Sequence, residues 1–183
     1  YFGEDSSGNG GFIGDFKGTL SLVKDPLNYS TIVDFKFPLH YYLTGIIYYF
    51  SNNELTLRII YCCVSLITPY IFFMCLREKF KNIDKNNLFL FSLVIFILPS
   101  FRSGAIWPNT QVTALVFFLA SLYNFVKWQN LNNYKTINNS LLYSIFFMSM
   151  AVYSRQLYAL IFLYYFYIFF LNYNFKKFFQ VSL

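Results

Sequence analysis

Five stretches of the chain consist almost entirely of apolar and aromatic residues, without the strict alternation of polar and apolar positions that marks a strand. Only one of their side chains is an Asp, Glu, Lys, Arg or His: Arg58. About 20 apolar residues let a helix cross the roughly 30 Å hydrocarbon layer of a bilayer, and lipid leaves the backbone only a helix or a closed barrel. The pattern therefore predicts an all-α, polytopic membrane helix bundle with about five spanning helices: Leu55–Leu76, Leu88–Phe101, Thr110–Val126, Leu141–Tyr153 and Leu157–Leu171.

The last two stretches are interpreted as two helices and not as one. A single helix over residues 141–171 would be about 46 Å long, well beyond the hydrocarbon thickness. It would also carry Arg155 near the middle of the membrane, where a charge is costly. A tight turn at Ser154–Gln156 avoids both costs, and the two short spans then imply some local thinning of the bilayer.

The first part of the chain is more polar and divides the sequence in two. Residues 1–54 are expected to form an outer-face loop with juxtamembrane helices, and residues 55–183 the membrane bundle. Asp15–Val23 has the spacing of a short amphipathic helix with Asp15 at its N-cap. Pro38–Phe50 is apolar but too short to span, and its tyrosines suit an interfacial helix at the level of the lipid headgroups.

Composition supports a membrane protein over a soluble domain. The 183 residues are 57% hydrophobic and 24% aromatic, with only 12% charged, which is too apolar for an ordinary soluble fold. The formal net charge is +6, but the basic residues lie at the ends of the apolar stretches. We therefore expect membrane lipid as a partner and no nucleic acid.

The charges also predict an orientation. If the five stretches cross in series, residues 77–87, residues 127–139 and the tail after Leu171 share one side of the membrane. That side holds eight basic and two acidic side chains, whereas the other side holds six of each. Short cytoplasmic loops carry an excess of Lys and Arg, so residues 1–54 are expected on the outer, non-cytoplasmic side.

Metal-ligating residues are sparse. His40 is the only histidine, and the three cysteines lie within one apolar stretch without a CxxC spacing. No metal site is predicted from these residues, although a divalent metal that accompanies a substrate is left open.

Several motifs carry a family resemblance. The segment Asp34–Ser51 contains a lysine, a proline, a leucine and paired aromatics, and it is followed by an acidic turn and Arg58 at the start of the next span. This pattern resembles the membrane glycosyltransferases of the GT-C superfamily, in the protein mannosyltransferase and lipid A aminoarabinose transferase branch. The match continues through Pro99–Phe125. Tyr153–Gln156 is similar to the Arg-Gln turn of the dolichyl-phosphate-glucose glucosyltransferases.

The resemblance runs from about Asp15 to the end of the chain, and it implies further spans before residue 1 and after residue 183. It implies transfer of a sugar from a polyprenyl-phosphate-linked donor to an acceptor at the non-cytoplasmic face. An acidic residue of the first outer loop would be the base. Asp15 is the first candidate and Glu4 and Asp5 are the alternates, while an N-cap role alone would also explain Asp15. Lys36 matches the family lysine that contacts the lipid phosphate.

Two arginines extend the candidate phosphate site. Arg102 and Arg155 fall on the side that the positive-inside rule should leave poor in cations. Arginine binds phosphate through a bidentate fork, so both are candidates for the donor phosphate, and snorkelling at a helix end is the alternative. His40 and Gln156 are candidate substrate contacts; for His40 a hydrogen bond at headgroup level is the other interpretation.

Other functions remain open at this point. A non-catalytic multispan transporter or lipid flippase would need a polar path at the midplane. A glycan ligase or polymerase would use diphosphate-linked donors. The composition shows no organellar signal, and a bacterial inner membrane is the expected location. Neither the sugar nor the acceptor, whether protein, lipid or glycan, follows from the sequence.

Overall fold

A computed structural model describes residue 23 and residues 39–98, 101–102, 105, 108–131 and 138–172. These residues form six α-helices and no strand, so the all-helical prediction is confirmed for this part of the chain. The helices are α1 (Leu39–Ser51), α2 (Glu54–Lys79), α3 (Lys85–Ser92), α4 (Thr110–Gln129), α5 (Asn139–Ser154) and α6 (Ala159–Asn172). Short 3₁₀ segments extend α3 over Leu93–Ile97 and precede α6 at Gln156–Tyr158.

Asparagine and aspartate side chains define where four of the helices begin. The side chain of Asn53 accepts a hydrogen bond from the Leu55 backbone N–H at the start of α2. Equivalent caps begin the later helices at Asp84, Asn109 and Asn138. Each cap satisfies a backbone donor that has no partner within its own helix.

Two helices, α2 and α4, are long and apolar enough to cross a membrane by length and composition. The prediction of about five spanning helices is therefore not confirmed for the described residues. Lys85–Ile97 and Gln156–Leu171 are shorter apolar helices, and α5 has 16 residues.

The predicted helix over Leu88–Phe101 is interrupted. Helix α3 tightens into a 3₁₀ segment at Leu93, and the backbone becomes extended at Leu98 with φ −66° and ψ 117°. Leu98 precedes Pro99, and the proline ring disfavours the α conformation of the residue before it. The expected continuous span is therefore broken at Leu98, and Phe101 and Arg102 beyond the break are helical.

The break predicted at Ser154–Gln156 is confirmed. Arg155 has an extended backbone, with φ −154° and ψ 119°, and separates α5 from the 3₁₀ turn before α6. Phe117 of α4 stacks on Phe147 of α5, whereas Phe118 contacts Tyr158 and Phe125 contacts Tyr165. The rising residue numbers on both sides of the last two contacts show that α6 runs parallel to α4.

Contacts between the other helices give their relative directions. Cys75 near the end of α2 donates to the carbonyl of Leu119 in α4, and Asn130 just after α4 donates to Glu78. Helices α2 and α4 are therefore parallel. Phe73 of α2 contacts Phe89 of α3, and Ser65 donates to the Ala105 carbonyl, so the chain between α2 and α4 runs back antiparallel to α2. Five consecutive segments thus alternate in direction.

This alternation gives the bundle two distinct ends. We call the end that holds Asn53, Asn109 and Arg155 the arginine end. The opposite end, which holds Lys79, Lys127 and Asn130, is called the lysine end. Helix α1 contacts α2, α4 and α5, and it packs Ile47 and Tyr48 against Leu57 and Tyr61 of α2, so it belongs to the arginine half of the bundle.

The main core lies between α4, α5 and α6. It is built from aromatic side chains, with Phe125 stacked on Tyr165 at a ring-centroid distance of 4.1 Å and Trp128 edge-on to Phe169 at 5.3 Å. Met148 and Ala151 of α5 close it from the third side and are fully buried.

Candidate functional site

Arg102, Arg155, Gln156 and His40 are the predicted site residues that the structure describes, and all four belong to the arginine half of the bundle. Arg102 is exposed and follows Leu98, whose carbonyl accepts from the Arg102 backbone N–H at 3.1 Å. Arg155 is partly buried in the turn between α5 and α6, and Gln156 beside it is exposed. Arg155 and Gln156 therefore lie together in one turn, while Arg102 lies on the segment that runs back along α2.

The remaining predicted site residues, Asp15, Glu4, Asp5 and Lys36, lie outside the described residues. So does the predicted amphipathic helix Asp15–Val23, apart from Val23, which is helical and buried. The convergence of an acidic group with the arginines therefore stays a prediction.

His40 is at the centre of a buried polar network that joins α1, α2 and α4. Its Nδ1 lies 2.8 Å from Thr113 Oγ1 and 3.4 Å from the Tyr61 hydroxyl. The hydroxyls of Thr44 and Tyr61 are 2.6 Å apart, and Thr44 also donates to the His40 carbonyl at 2.7 Å. All four side chains are buried, and that of His40 is only 2% exposed.

The hydrogen bonds restrict where the protons of the network lie. The ring of His40 also bonds to the backbone of Pro108, whose only polar backbone group is a carbonyl. The imidazole N–H therefore donates to Pro108. The Thr113 hydroxyl lies within hydrogen-bond distance of both Nδ1, at 2.8 Å, and the Asn109 carbonyl, at 3.3 Å. Because the proton of Thr44 goes to the His40 carbonyl, Tyr61 donates to Thr44. The network uses a neutral imidazole, with the proton placed by these partners.

Burial enforces that neutral form. Desolvation lowers the pKa of His40 from 6.5 to about 4, and the hydrogen bond to Pro108 opposes the shift only in part. A charged imidazole in this position would lose its hydration without gaining an anionic partner. His40 is therefore a structural connector of three helices in this conformation. Its predicted contact with substrate stays a prediction, while the ring nitrogens are engaged inside the bundle.

This network was not predicted from the sequence, because the prediction considered charged side chains and not hydroxyl groups. Its members other than His40 are hydroxyl residues inside apolar stretches: Thr44, Tyr61 and Thr113. The sequence feature that could have indicated the network is the spacing of His40 and Thr44, which lie one helical turn apart on the same face of α1. Nothing local indicates that Thr113, 73 positions away from His40, completes the set.

A cleft of about 830 Å³ opens on another face of α1. It is lined by Gly45, Ile46, Tyr48, Tyr49, Phe50, Asn52 and Val23. Of the predicted site residues that the structure describes, His40, Arg102, Arg155 and Gln156, none is among these lining residues. At its edge Asn52 has φ 44°, a left-handed conformation that asparagine tolerates, and this residue turns the chain from α1 into α2.

Within the described residues, no group of three or more His, Cys, Asp and Glu side chains is arranged to hold a metal ion. The cysteines are free: Cys62 and Cys63 are exposed on α2, and Cys75 is buried against α4.

The comparisons with known proteins return no relatives. No family model matches the chain, and neither does any curated protein or solved structure. Function has to be argued from the residues and the geometry.

Proposed function

We propose that the chain is a multi-pass membrane glycosyltransferase that moves a sugar from a polyprenyl-phosphate-linked donor to an acceptor at the non-cytoplasmic face. The observation that carries the proposal is the position of Arg155 in the turn between α5 and α6, opposite the basic loops Arg77–Lys85 and Lys127–Leu131. The resemblance of Asp34–Ser51 and Tyr153–Gln156 to the GT-C superfamily supplies the reaction class.

Exposed apolar surface supports the membrane setting. Only 28% of the apolar window of α2 and 39% of that of α4 is buried within the protein. A core helix of a soluble protein would be mostly buried, so these helices need another apolar environment. Helix α6 adds Leu160, Leu163 and Leu171, which are all more than half exposed. Lipid chains would cover this surface.

The alternating direction of the segments supports several crossings. Helix α2, the return through α3, then α4, α5 and α6 each run opposite to the one before. The short segments would be accommodated by thinning of the bilayer or by packing against α2 and α4. The positive-inside rule then places the lysine end in the cytoplasm and the arginine end outside. In a bacterial inner membrane, residues 1–54 would be periplasmic.

The proposed chemistry needs an anion-binding group and a base. Arg102 and Arg155, together with Lys36, would hold the phosphate of the donor and stabilise its charge as it leaves. Asp15 would orient the acceptor hydroxyl and accept its proton. The acceptor oxygen forms a bond to the anomeric carbon while the bond from that carbon to the phosphate oxygen breaks, which inverts the configuration of the sugar.

A transfer assay with matched variants tests the proposal. Arg155→Gln in the full chain should lower kcat/KM for a polyprenyl-phosphate sugar by about a hundredfold, since one preorganised charge on a developing anion is worth that much. Arg155→Lys should retain part of the activity, because lysine keeps the charge but loses the bidentate fork. Lys81→Gln is the control, since Lys81 lies at the lysine end and pairs with Glu78 at 3.6 Å.

The same assay separates the catalytic roles and the donor class. Asp15→Asn should abolish transfer while donor binding and expression stay unchanged. Full activity in Asp15→Asn would reject that residue as the base, and full activity in Arg155→Gln would reject the phosphate site. Transfer from a diphosphate carrier but not from a monophosphate carrier would favour a ligase or polymerase.

The hydroxyl groups of the described helices give little support to the alternative function, a transporter or lipid flippase. Ser65 donates to the Tyr61 carbonyl, Thr68 to the Val64 carbonyl and Ser121 to the Ser144 carbonyl. These side chains satisfy helix backbone groups and join neighbouring helices. They do not line a path for a polar solute in this part of the chain.

A further inference from the structure

We infer that the lysine end is a binding surface for the headgroups of anionic phospholipids. Its basic residues surround the C-terminal ends of α2 and α4 and the start of α3: Arg77, Lys79, Lys85 and Lys127. All four side chains are exposed. The inference rests on the proposed membrane embedding and goes beyond it, because it concerns which lipid contacts this end.

The acidic residues at this end are occupied within the protein. Glu78 Oε1 accepts from Asn130 at 3.0 Å and pairs with Lys81 at 3.6 Å. The carboxylate of Asp84 caps α3 by accepting from the backbone N–H groups of Asn86 and Asn87. Lys81 thus has an acidic partner, while the structure gives no ion pair to the other four cations among the described residues.

The two helix ends that carry these cations are held together. Asn130 donates to both the carbonyl and the carboxylate of Glu78, at 2.8 and 3.0 Å. Arg77 and Lys79 therefore stay next to the end of α4, which carries Lys127 with its ammonium 5.9 Å from the Tyr123 ring centroid. A fixed cluster of this kind attracts phosphate oxygens more strongly than separate flexible cations do, since less ordering is needed on binding.

Apolar side chains next to the cations favour lipid over a soluble polyanion. Phe80 and Ile83 lie in the connection between α2 and α3, and Leu131 follows α4; all three are exposed. Lysine alternates with these residues along the connection from Lys79 to Lys85. Such a surface can place its apolar groups among acyl chains while the ammonium groups reach the phosphates. A nucleic acid would leave the apolar groups in water.

Lipid selectivity in a mixed bilayer tests the inference. The full chain is reconstituted in vesicles with equal parts phosphatidylcholine and phosphatidylglycerol, and its first-shell lipids are quantified with spin-labelled analogues of each. The wild-type chain should prefer phosphatidylglycerol, and added salt should weaken the preference. Lys79→Gln/Lys85→Gln should abolish the preference, since each cation near an anionic surface contributes about a fivefold factor and the variant removes two of them.

A matched variant elsewhere in the chain controls for total charge. Lys17→Gln/Lys24→Gln removes the same number of cations from residues 1–54, the part expected on the outer side, and should keep the wild-type preference. Equal association of both lipids with the wild-type chain would overturn the inference. So would an equal loss of preference in the two double variants, or oligonucleotide binding that depends on Lys79 and Lys85 while no lipid preference is found.

Failure of this inference is distinguishable from failure of the proposed function. Extraction of the vesicles with alkaline carbonate reports whether the chain is embedded. An embedded chain without lipid preference contradicts only the lysine-end surface, whereas release from the vesicles contradicts the membrane proposal itself.

Discussion

At the scale of single residues, the hydrogen bond between His40 and Thr113 joins α1 to α4. A net hydrogen bond inside a protein is worth about 1 kcal/mol, but a buried polar group left without its partner costs about 1–3 kcal/mol. The four side chains of the network are hydrogen-bond partners of one another. Removing one of them should therefore cost more than one net hydrogen bond, because it leaves a buried polar group without its partner. The network therefore specifies how the three helices meet more than it adds to overall stability.

The first prediction concerns pH. The pKa of His40 is lowered to about 4 in the folded chain, against 6.5 for an unburied imidazole. Between these values the unfolded chain binds a proton that the folded chain excludes, so stability is complete above about pH 6.5 and falls as pH drops toward 4. The free energy of unfolding in neutral detergent should be about 2 kcal/mol lower at pH 5 than at pH 7.5.

His40 is the only histidine in the chain, which makes the control direct. His40→Gln should be less stable at neutral pH, and its stability should be nearly constant between pH 7.5 and pH 5. A wild-type chain with no pH dependence in this range, or a variant with the same slope, would show that His40 is not buried in a neutral form.

Residue-level signals explain why the predicted helix starts were nearly right. The apolar stretches begin at Leu55, Leu88 and Leu141, whereas the helices begin at Glu54, Lys85 and Asn139. The difference arises because the prediction followed hydrophobicity, and the backbone follows the capping side chains just upstream of each helix. Asn53, Asp84 and Asn138 carried that information in the sequence.

At the scale of helices, the aromatic core determines how α4, α5 and α6 pack. Phe125 contacts Trp128, Tyr165 and Phe169 at once, and its side chain is only 3% exposed. Aromatic pairs in such geometry contribute about 0.5–1.5 kcal/mol beyond the area that they bury. The register of α6 on α4 thus depends strongly on one residue.

Replacing Phe125 gives a prediction at this scale. Phe125→Ala should lower the free energy of unfolding by about 3–5 kcal/mol, because it removes a buried ring and leaves a cavity. Leu163→Ala on the exposed face of α6 is the control and should change stability much less. Both variants are measured by denaturant unfolding in the same detergent; equal effects would mean that α6 is not packed on α4 through Phe125.

Helix lengths were harder to predict than helix positions. The sequence predicted a continuous helix over Leu88–Phe101, yet the chain tightens at Leu93 and leaves the α conformation at Leu98. Pro99 gave a local reason for that end. The 3₁₀ segment has no comparable signal, because its i to i+3 bonds depend on how the segment meets α2.

At the scale of the whole molecule, the distribution of charges and the order of the apolar stretches along the chain were the most informative features of the sequence. Alternating directions and the break at Arg155 follow from the lengths and ends of the apolar stretches. Contacts such as Asn130 with Glu78 or Thr113 with His40 do not, because they join positions that are 52 and 73 residues apart. Sequence periodicity does not encode those pairings, so the hydrogen-bond network around His40 could not be predicted, and the convergence of the site residues stays a prediction.

Topology mapping tests the central claim most directly. In a background without Cys62, Cys63 and Cys75, single cysteines are introduced as Ile83→Cys, Leu131→Cys and Gln156→Cys, and intact cells are treated with a membrane-impermeant thiol reagent. The account predicts labelling of the cysteine at 156 from outside, and labelling of those at 83 and 131 only after the membrane is opened. Labelling of positions 83 and 156 from the same side would contradict the account, because the arginine end could not then be the outer face where the sugar is transferred.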